Sequence, residues 1–173
     1  MTLRLFARSR AAFETAVRAY SGDLYRFAYW RCRDRFAAED AVQETFARAW
    51  KAWGTLGSPA SAKSWLFTIL RNELARLHER KRFDVDPEQD LDALELPGQM
   101  RPLDALEVRE ALDRLPVEQR EPLLLQVLGG FSCAEIGAIL SISEVAATTR
   151  VSRARAALRR LIEPRARSRE RFG

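Results

Sequence analysis

The sequence predicts an all-α protein in which two small helical domains are joined by a flexible acidic linker, and three observations carry this prediction. Apolar residues recur at spacings of three and four in both halves of the chain, which keeps one face of a helix buried. Glycine, proline and serine stand where these helices should begin and end. Charge is unevenly divided: residues 1–82 carry 16 basic and 8 acidic groups, residues 83–107 carry 1 and 8, and residues 108–173 carry 12 and 8. The acidic stretch contains three prolines, which indicates an extended linker.

Composition excludes several classes of protein. Hydrophobic residues make up 47% of the 173 residues, which supplies packed cores and argues against disorder over the whole length. No apolar run approaches the roughly 20 residues of a membrane span, so we expect a cytoplasmic protein without direct membrane insertion. Cys32 and Cys133 have no CxxC or Cys/His neighbours, so neither a disulfide nor a metal site is expected, and no motif calls for a cofactor. A single histidine, His78, and no phosphate-binding glycine loop disfavour an enzyme and a catalytic site.

The N-terminal domain is predicted to contain three helices. The first begins near Phe13, and Gly22 is a candidate for a bend or break in it. The second covers AAEDAVQETFARAWKAW, residues 37–53. Its apolar stripe comprises Ala38, Val42, Phe46, Ala49, Trp50 and Trp53. The opposite side carries Asp40, Gln43, Glu44, Ala47 and Lys51. On periodicity alone, this polar side is either an ordinary solvated surface or an interface.

The third helix follows a glycine- and proline-containing loop and carries basic residues beside aromatic ones. It turns Arg71 and Asn72 outward and has Arg76 further along, near a loop and three tryptophans, Trp50, Trp53 and Trp65. A cationic C-terminus also suits the helix dipole. Cations beside exposed aromatic rings, however, are what a protein uses to hold phosphates and stack unpaired bases.

The C-terminal domain contains the signals of a helix-turn-helix. Pro116 is predicted to begin a helix that Gly129 and Gly130 end. Ser132 and Glu135 have the spacing of a capping box, and Ser141 to Ser143 form a turn in which Ser143 caps the next helix. From Arg150 to Arg171, nine cations face only two glutamates. This pattern predicts a recognition helix for a major groove; the alternative is a basic amphipathic tail on an unrelated bundle.

Three segments, in order, resemble a bacterial sigma factor of the extracytoplasmic-function (ECF) group. AEDAVQETFARAW is similar to the family's region 2.2, WLFTILRNELARLHERKR to regions 2.3–2.4, and LDRLPVEQREPLLLQVLGGFSCAEIGAIL with SRARAALRRL to region 4. The resemblance implies sigma region 2 over 1–82, a linker over 83–104, sigma region 4 over 105–165 and a basic tail over 166–173, which we expect to be frayed. Its implied partners are core RNA polymerase, promoter DNA and an anti-sigma factor, which is often membrane-bound.

The same resemblance implies roles for particular residues. Polymerase-binding residues would be Asp40, Gln43 and Glu44. Residues at the −10 element would be Leu56, Ser61, Trp65, Arg71, Asn72, Arg76 and Arg80. Residues at the −35 element would be Ser143, Thr148, Thr149, Arg150, Arg153 and Arg155.

The chain also departs from the family's pattern. The family often has Asp where Arg76 stands, an aromatic residue where Leu56 stands, and Gly-Thr-Val-Lys-Ser-Arg where this chain has residues 145–150. These replacements change the groups that face bases and phosphates, so a promoter sequence does not carry over.

The rival interpretation is a two-domain regulator that binds an operator without polymerase. Its helix-turn-helix would look the same. The segment 38–82 discriminates the two, because a mere dimerisation domain needs neither the Asp-x-x-Gln-Glu face nor the loop rich in tryptophan and arginine. A protein that lies on a membrane surface is a further rival, but periodic apolar stripes broken by caps are typical of a soluble core.

Overall fold

The computed structural model describes residues 2–81 and 102–170. The chain forms two compact units, Met1–Leu91 and Asp92–Gly173, and every described segment of secondary structure in them is helical. The linker predicted over 83–104 lies, up to residue 101, outside the described residues. Within the parts that the structure describes, no helix combines the length and the apolarity that crossing a bilayer requires.

The first unit is a bundle of three helices, α1 (Thr2–Cys32), α2 (Arg35–Ala52) and α3 (Ala62–Lys81), each packed against the other two. Short 3-10 turns, Trp53–Thr55 and Pro59–Ser61, occupy the predicted loop between α2 and α3. The core contains large, fully buried side chains from α1 and α3, among them Leu24, Phe27, Leu66, Phe67 and Leu70.

Gly22 does not break α1, which is continuous from Thr2 to Cys32, so the expectation of a break there was wrong. Gly22 is exposed, whereas Leu24 and Phe27 just after it are fully buried. Glycine costs a helix only about 1 kcal/mol relative to alanine, and burying the side chains on the inner face of α1 outweighs that cost.

Helix α2 begins two residues earlier than the sequence predicts, at Arg35. Arg33 takes a left-handed backbone conformation with φ 60°, and the side chain of Asp34 then caps the helix by accepting a hydrogen bond from the Ala37 amide at 2.9 Å. An aspartate just before an apolar-periodic segment is a local start signal for a helix, and Asp34 supplies it here.

Three tryptophans of this unit, Trp50, Trp53 and Trp65, belong to an aromatic cluster with Phe13, and the expectation of exposed rings is wrong for Trp53 alone. Phe13 of α1 lies 5.0 Å from both Trp50 and Trp53, measured between ring centroids, and Trp53 lies 6.1 Å from Trp65. Trp53 is only 8% exposed. Contact with Phe13 of α1 helps to bury Trp53, which periodicity within α2 and α3 cannot reveal, whereas Trp50 is 37% exposed and Trp65 is half-buried.

The second unit comprises α4 (Pro102–Asp113), α5 (Val117–Gly129), α6 (Cys133–Leu140) and α7 (Glu144–Glu170), and the first three all pack against α7. Pro116 is the residue before α5 rather than its first residue. Gly130 ends that helix in the left-handed conformation, with φ 69°, and Ser132 and Glu135 form the predicted capping box. The predicted helix end at the two glycines and the predicted capping box are confirmed.

The predicted helix-turn-helix is present in α6 and α7. Ser141 adopts φ 56° between the helices, and Ser143 caps α7 by accepting a hydrogen bond from the Ala146 amide at 3.1 Å. The Ile142 amide donates to the Gly137 carbonyl at 2.9 Å, and a Cβ at position 137 would stand 2.8 Å from the Ile142 carbonyl oxygen. The turn is therefore this close only because residue 137 is glycine.

Helix α7 is longer than predicted. It continues through Pro164 to Glu170, across most of the segment expected to fray. Alanine and arginine, which are good helix formers, dominate its second half and favour this extension.

Candidate nucleic-acid interface

The polar side of α2 is exposed along its length. Asp40, Gln43 and Glu44 all face solvent, whereas Ala38, Ala41, Val42, Thr45 and Ala49 are buried on the opposite side. Phe36 lies one turn before Asp40 on the same side and is 76% exposed, which is unusual for so large an apolar residue. We call Phe36, Asp40, Gln43 and Glu44 the α2 face.

A chain of ion pairs connects the α2 face to α3. The Arg48 Nε atom lies 2.8 Å from a carboxylate oxygen of Glu44 and 2.8 Å from one of Glu73, and the Arg76 Nη1 atom lies 2.8 Å from the same Glu73 oxygen. Glu73 is only 7% exposed, so its charge is neutralised by two arginines from different helices. The spacing of three or four residues in the sequence predicts the ion pairs within α2 and within α3. The ion pair between Arg48 and Glu73 joins the two helices, so only the tertiary structure reveals it.

A groove of about 680 Å³ runs between α2 and α3 beside this chain of ion pairs. It is lined by Asp40, Ala41, Gln43, Glu44, Ala47, Arg48, Glu73, Arg76 and Leu77. Arg76, which sequence reasoning assigned to the −10 element, thus lies next to the residues assigned to polymerase. The two predicted sites adjoin on one surface of the first unit.

The remaining residues predicted for the −10 element lie along the loop and α3. Leu56 and Trp65 are half-buried, whereas Ser61 is exposed and donates a hydrogen bond from its hydroxyl to the Ser58 carbonyl at 2.9 Å. Lys63, in the first turn of α3, pairs with Asp23 of α1 at 3.0 Å and fixes the start of that helix.

Helical spacing divides the α3 residues into two sides. Asn72 and Arg76 are both exposed and follow Trp65 by seven and eleven residues, which puts all three on one side of α3. Arg71 is half-buried and lies about 100° around the helix from Asn72. Arg80 lies in α3, but its side chain is outside the described residues.

The start of α7 presents small uncharged groups to solvent. Ala147, Val151 and Ala154 are buried against the other helices. The opposite side carries Val145, Thr148, Thr149 and Ser152, which we call the α7 ridge. Thr148 donates its hydroxyl proton to the Glu144 carbonyl at 2.9 Å, and Thr149 donates to the Val145 carbonyl at 2.8 Å.

Arginines stand beside the α7 ridge. Arg153, Arg155, Arg159 and Arg160 are exposed and Arg150 is half-buried. Arg155 donates a hydrogen bond to the Gln126 side-chain oxygen of α5 at 2.7 Å, which fixes its direction. Glu144 is the one acidic residue in the sequence from 144 to 162, so this half of α7 is strongly positive. Gln126 was not singled out by sequence reasoning, because its partner lies 29 residues away.

Two family models match the chain, Sigma-70 region 2 over residues 16–83 and Sigma-70 region 4 over residues 105–158. The chain is 38% identical over 128 residues to the ECF RNA polymerase sigma factor EcfG of Rhodopseudomonas palustris, which covers 72% of this chain and 71% of that relative. It is 33% identical over 158 residues to SigM of Mycobacterium tuberculosis, covering 90% of this chain and 80% of the relative.

Two solved structures are also similar. One is the sigma factor RpoE in complex with the anti-sigma factor NepR from Bartonella quintana, with a TM-score of 0.73, 32% identity, and coverage of 87% of this chain and 96% of that one. The other is CnrH in complex with the cytosolic domain of CnrY, with a TM-score of 0.71, 26% identity, and coverage of 91% and 94%. Both sigma regions are matched in order, and a relative of 33% identity is matched over 80% of its length, so this chain belongs to the ECF RNA polymerase sigma factors.

Proposed function

We propose that this alternative sigma factor contacts core RNA polymerase through the α2 face and reads promoter DNA through α3 and α7, in the cytoplasm and without catalytic chemistry of its own. One observation carries the proposal: the chain presents an exposed acidic and amide face in the first unit and an arginine-flanked recognition helix in the second. A regulator that acts without polymerase needs only the second of these surfaces.

The α2 face has the composition of a protein-binding surface. Phe36 supplies an exposed aromatic anchor, and aromatic residues are frequent among those that dominate binding energy. Asp40 and Gln43 add acceptor and donor groups that a complementary basic or polar partner can satisfy. Glu44 is already held by Arg48, so its carboxylate is oriented before the partner arrives.

For the −10 element, we assign the unpaired base to the side of α3 that carries Trp65, Asn72 and Arg76. Capturing a base outside the stack costs a few kcal/mol, which ring contact and phosphate contacts must offset. Trp65 offers a half-buried ring, Asn72 an amide that can pair with a base edge, and Arg76 a cation. We assign Leu56 and Ser61 to the path by which the unpaired base reaches this side of α3. Arg71 and Arg80 are assigned to the flanking phosphates.

For the −35 element, α7 is assigned to the major groove. Its arginines, of which Arg150, Arg153 and Arg155 come first, would neutralise phosphates, while Thr148 and Thr149 face the base edges. Ser143 holds the start of the helix through its cap, and we assign it to the DNA backbone.

We also propose that an anti-sigma factor restrains the protein by covering both units. The similar RpoE structure is a complex with an anti-sigma factor, and the similar CnrH structure contains the cytosolic domain of CnrY. The partner would be encoded beside this chain and anchored in the membrane. It should form a stable complex with the purified protein and suppress its transcription; failure of every neighbouring gene product to bind would contradict this assignment.

The test of the main proposal is run-off transcription from the DNA upstream of the chain's own gene, with core polymerase in the presence and absence of the protein. We expect transcripts from one defined start site only when the protein is present. A footprint by the protein alone on duplex DNA, without any polymerase-dependent transcript, would instead favour the regulator that acts without polymerase.

A further inference from the structure

We infer that Val145 is a specificity-determining residue that reads the C5-methyl group of a thymine in the −35 element. The inference rests on the proposed role of α7 at that element and extends it to the choice of base. It predicts that an A·T pair stands under the start of α7.

Val145 is largely exposed to solvent although its side chain is apolar. It is 75% exposed at the second position of α7, whereas Ala147 two residues later is fully buried. In helix-turn-helix proteins, the first residues of the recognition helix are those that reach base edges. An apolar side chain at such a position has one base group to contact in the major groove, the thymine methyl.

The neighbouring threonines strengthen this preference. Thr148 and Thr149 donate their hydroxyl protons to the carbonyls of Glu144 and Val145 inside the helix. They are left with methyl groups and oxygen lone pairs to offer a base. The α7 ridge therefore lacks the bidentate donor that reads guanine, and its first turns are suited to methyl contact.

The arginines are placed to hold this ridge in the groove rather than to read bases. Seen down α7 from Val145, Arg153 and Arg160 lie about 60–80° to one side, and Arg155 and Arg159 lie about 40–80° to the other. Cations on both flanks can grip the phosphates of both strands while the uncharged ridge faces the bases. Arg155 is also tied to Gln126, which holds it on its flank.

The experiment compares thymine with uracil, which differ only by the methyl group. The −35 duplex is first located by footprinting the holoenzyme on its promoter, and each thymine in it is then replaced by deoxyuridine. With the unmodified protein, we expect replacement at one position under the start of α7 to weaken promoter binding about fourfold, the value of one buried methyl group.

The variant Val145→Ala should bind the thymine duplex about fourfold more weakly and no longer distinguish thymine from uracil at that position. Val145→Thr keeps one γ-methyl group and should retain part of the discrimination. The matched control is Val127→Ala, which truncates a valine that is 60% exposed on α5. This control should leave the affinities for the thymine duplex and for the uracil duplex unchanged. Thermal unfolding of each variant confirms that the exposed substitutions leave the fold intact.

Two other results would overturn the inference. Undiminished thymine discrimination by Val145→Ala, or a −35 element without an A·T pair under α7, removes Val145 as the reader of the methyl group.

The variant Arg153→Ala distinguishes failure of this inference from failure of the proposed function. If Arg153→Ala weakens binding to every duplex while the uracil substitutions have no effect, α7 binds the promoter without this readout. If Arg153→Ala changes nothing, the assignment of α7 to DNA falls, and the role of Val145 falls with it.

Discussion

The α2 face and the α7 ridge are both exposed helix surfaces, but their charges are arranged in opposite ways. Beside the α2 face, Glu44, Arg48, Glu73 and Arg76 neutralise one another through distances of 2.8 Å. Beside the α7 ridge, five arginines stand between residues 150 and 160, and Glu144 is the single acidic residue in the sequence from 144 to 162. The charges of these four residues are thus paired with one another before binding, whereas the α7 ridge has an excess of positive charge beside it.

This difference indicates two kinds of partner. A surface flanked by ions that are already paired gains affinity from shape, apolar anchors and a few directed polar contacts, as in binding to another protein. A surface with excess arginine gains affinity by releasing counterions from a polyanion, so its binding weakens steeply as salt is raised. The following predictions test this contrast, from the largest expected effect to the smallest.

Reversing charge beside the α7 ridge should have the largest effect. The double variant Arg150→Glu with Arg153→Glu removes two phosphate contacts and adds two repulsions, so we expect promoter affinity to fall about a hundredfold at 0.1 M salt. The plot of log affinity against log salt should also become shallower. Fluorescence anisotropy of holoenzyme on labelled −35 DNA measures both quantities. Equal affinity in the double variant would mean that the recognition helix has been assigned to the wrong segment.

The turn that presents α7 should be the next most sensitive point. Gly137→Ala puts a methyl group 2.8 Å from the Ile142 carbonyl oxygen, and backbone there must shift, so we expect the second unit to lose about 2 kcal/mol of unfolding free energy. The matched control is Gly22→Ala in α1, where a Cβ meets nothing within 4 Å and helix propensity should add up to about 1 kcal/mol. Chemical denaturation of both variants measures the difference; a neutral Gly137→Ala would show that the turn tolerates a side chain.

Truncating the α2 face should affect polymerase binding alone. Gln43→Ala with Glu44→Ala removes two exposed polar groups, and we expect about a tenfold loss of affinity for core polymerase. The fold should persist, because Arg48 keeps its pair with Glu73. Titration of core polymerase at low and moderate salt is the measurement, and a weaker salt dependence than that of DNA binding is expected. The assignment of this face to polymerase fails if the double variant binds as tightly as the parent.

Neutralising the centre of the ion-pair chain should have the smallest effect. Glu73→Gln removes the charge that joins Arg48 to Arg76, but both arginines are exposed enough to be solvated, so a loss of about 1 kcal/mol in unfolding free energy is expected. Glu79→Gln, on the exposed side of the same helix, should change stability by less than about 0.5 kcal/mol. Equal effects from the two substitutions, measured by thermal unfolding, would show that the chain of ion pairs adds nothing.

The second unit follows more directly from local sequence than the first. Its boundaries depend on groups close together in the chain: Gly130 in a left-handed cap, Ser132 with Glu135, and Ser143 with the Ala146 amide. Each signal acts over three or four residues and can be recognised in the sequence. The first unit depends on Phe13 meeting Trp50 and Trp53, rings about 40 residues away along the chain, and local patterns carry no information about such a contact.

Sequence alone determined that the protein is helical, that its C-terminal domain contains a helix-turn-helix, and that the polar side of α2 is exposed. It could do so because helical periodicity and capping are local properties of the backbone. Tertiary structure decided that Trp53 is buried, that α1 continues through Gly22, and that Arg76 shares a groove with the α2 face. It also left Val145 exposed on the α7 ridge while Ala147 faces the core. These outcomes depend on which helices pack against one another, and packing joins residues that are distant in the chain.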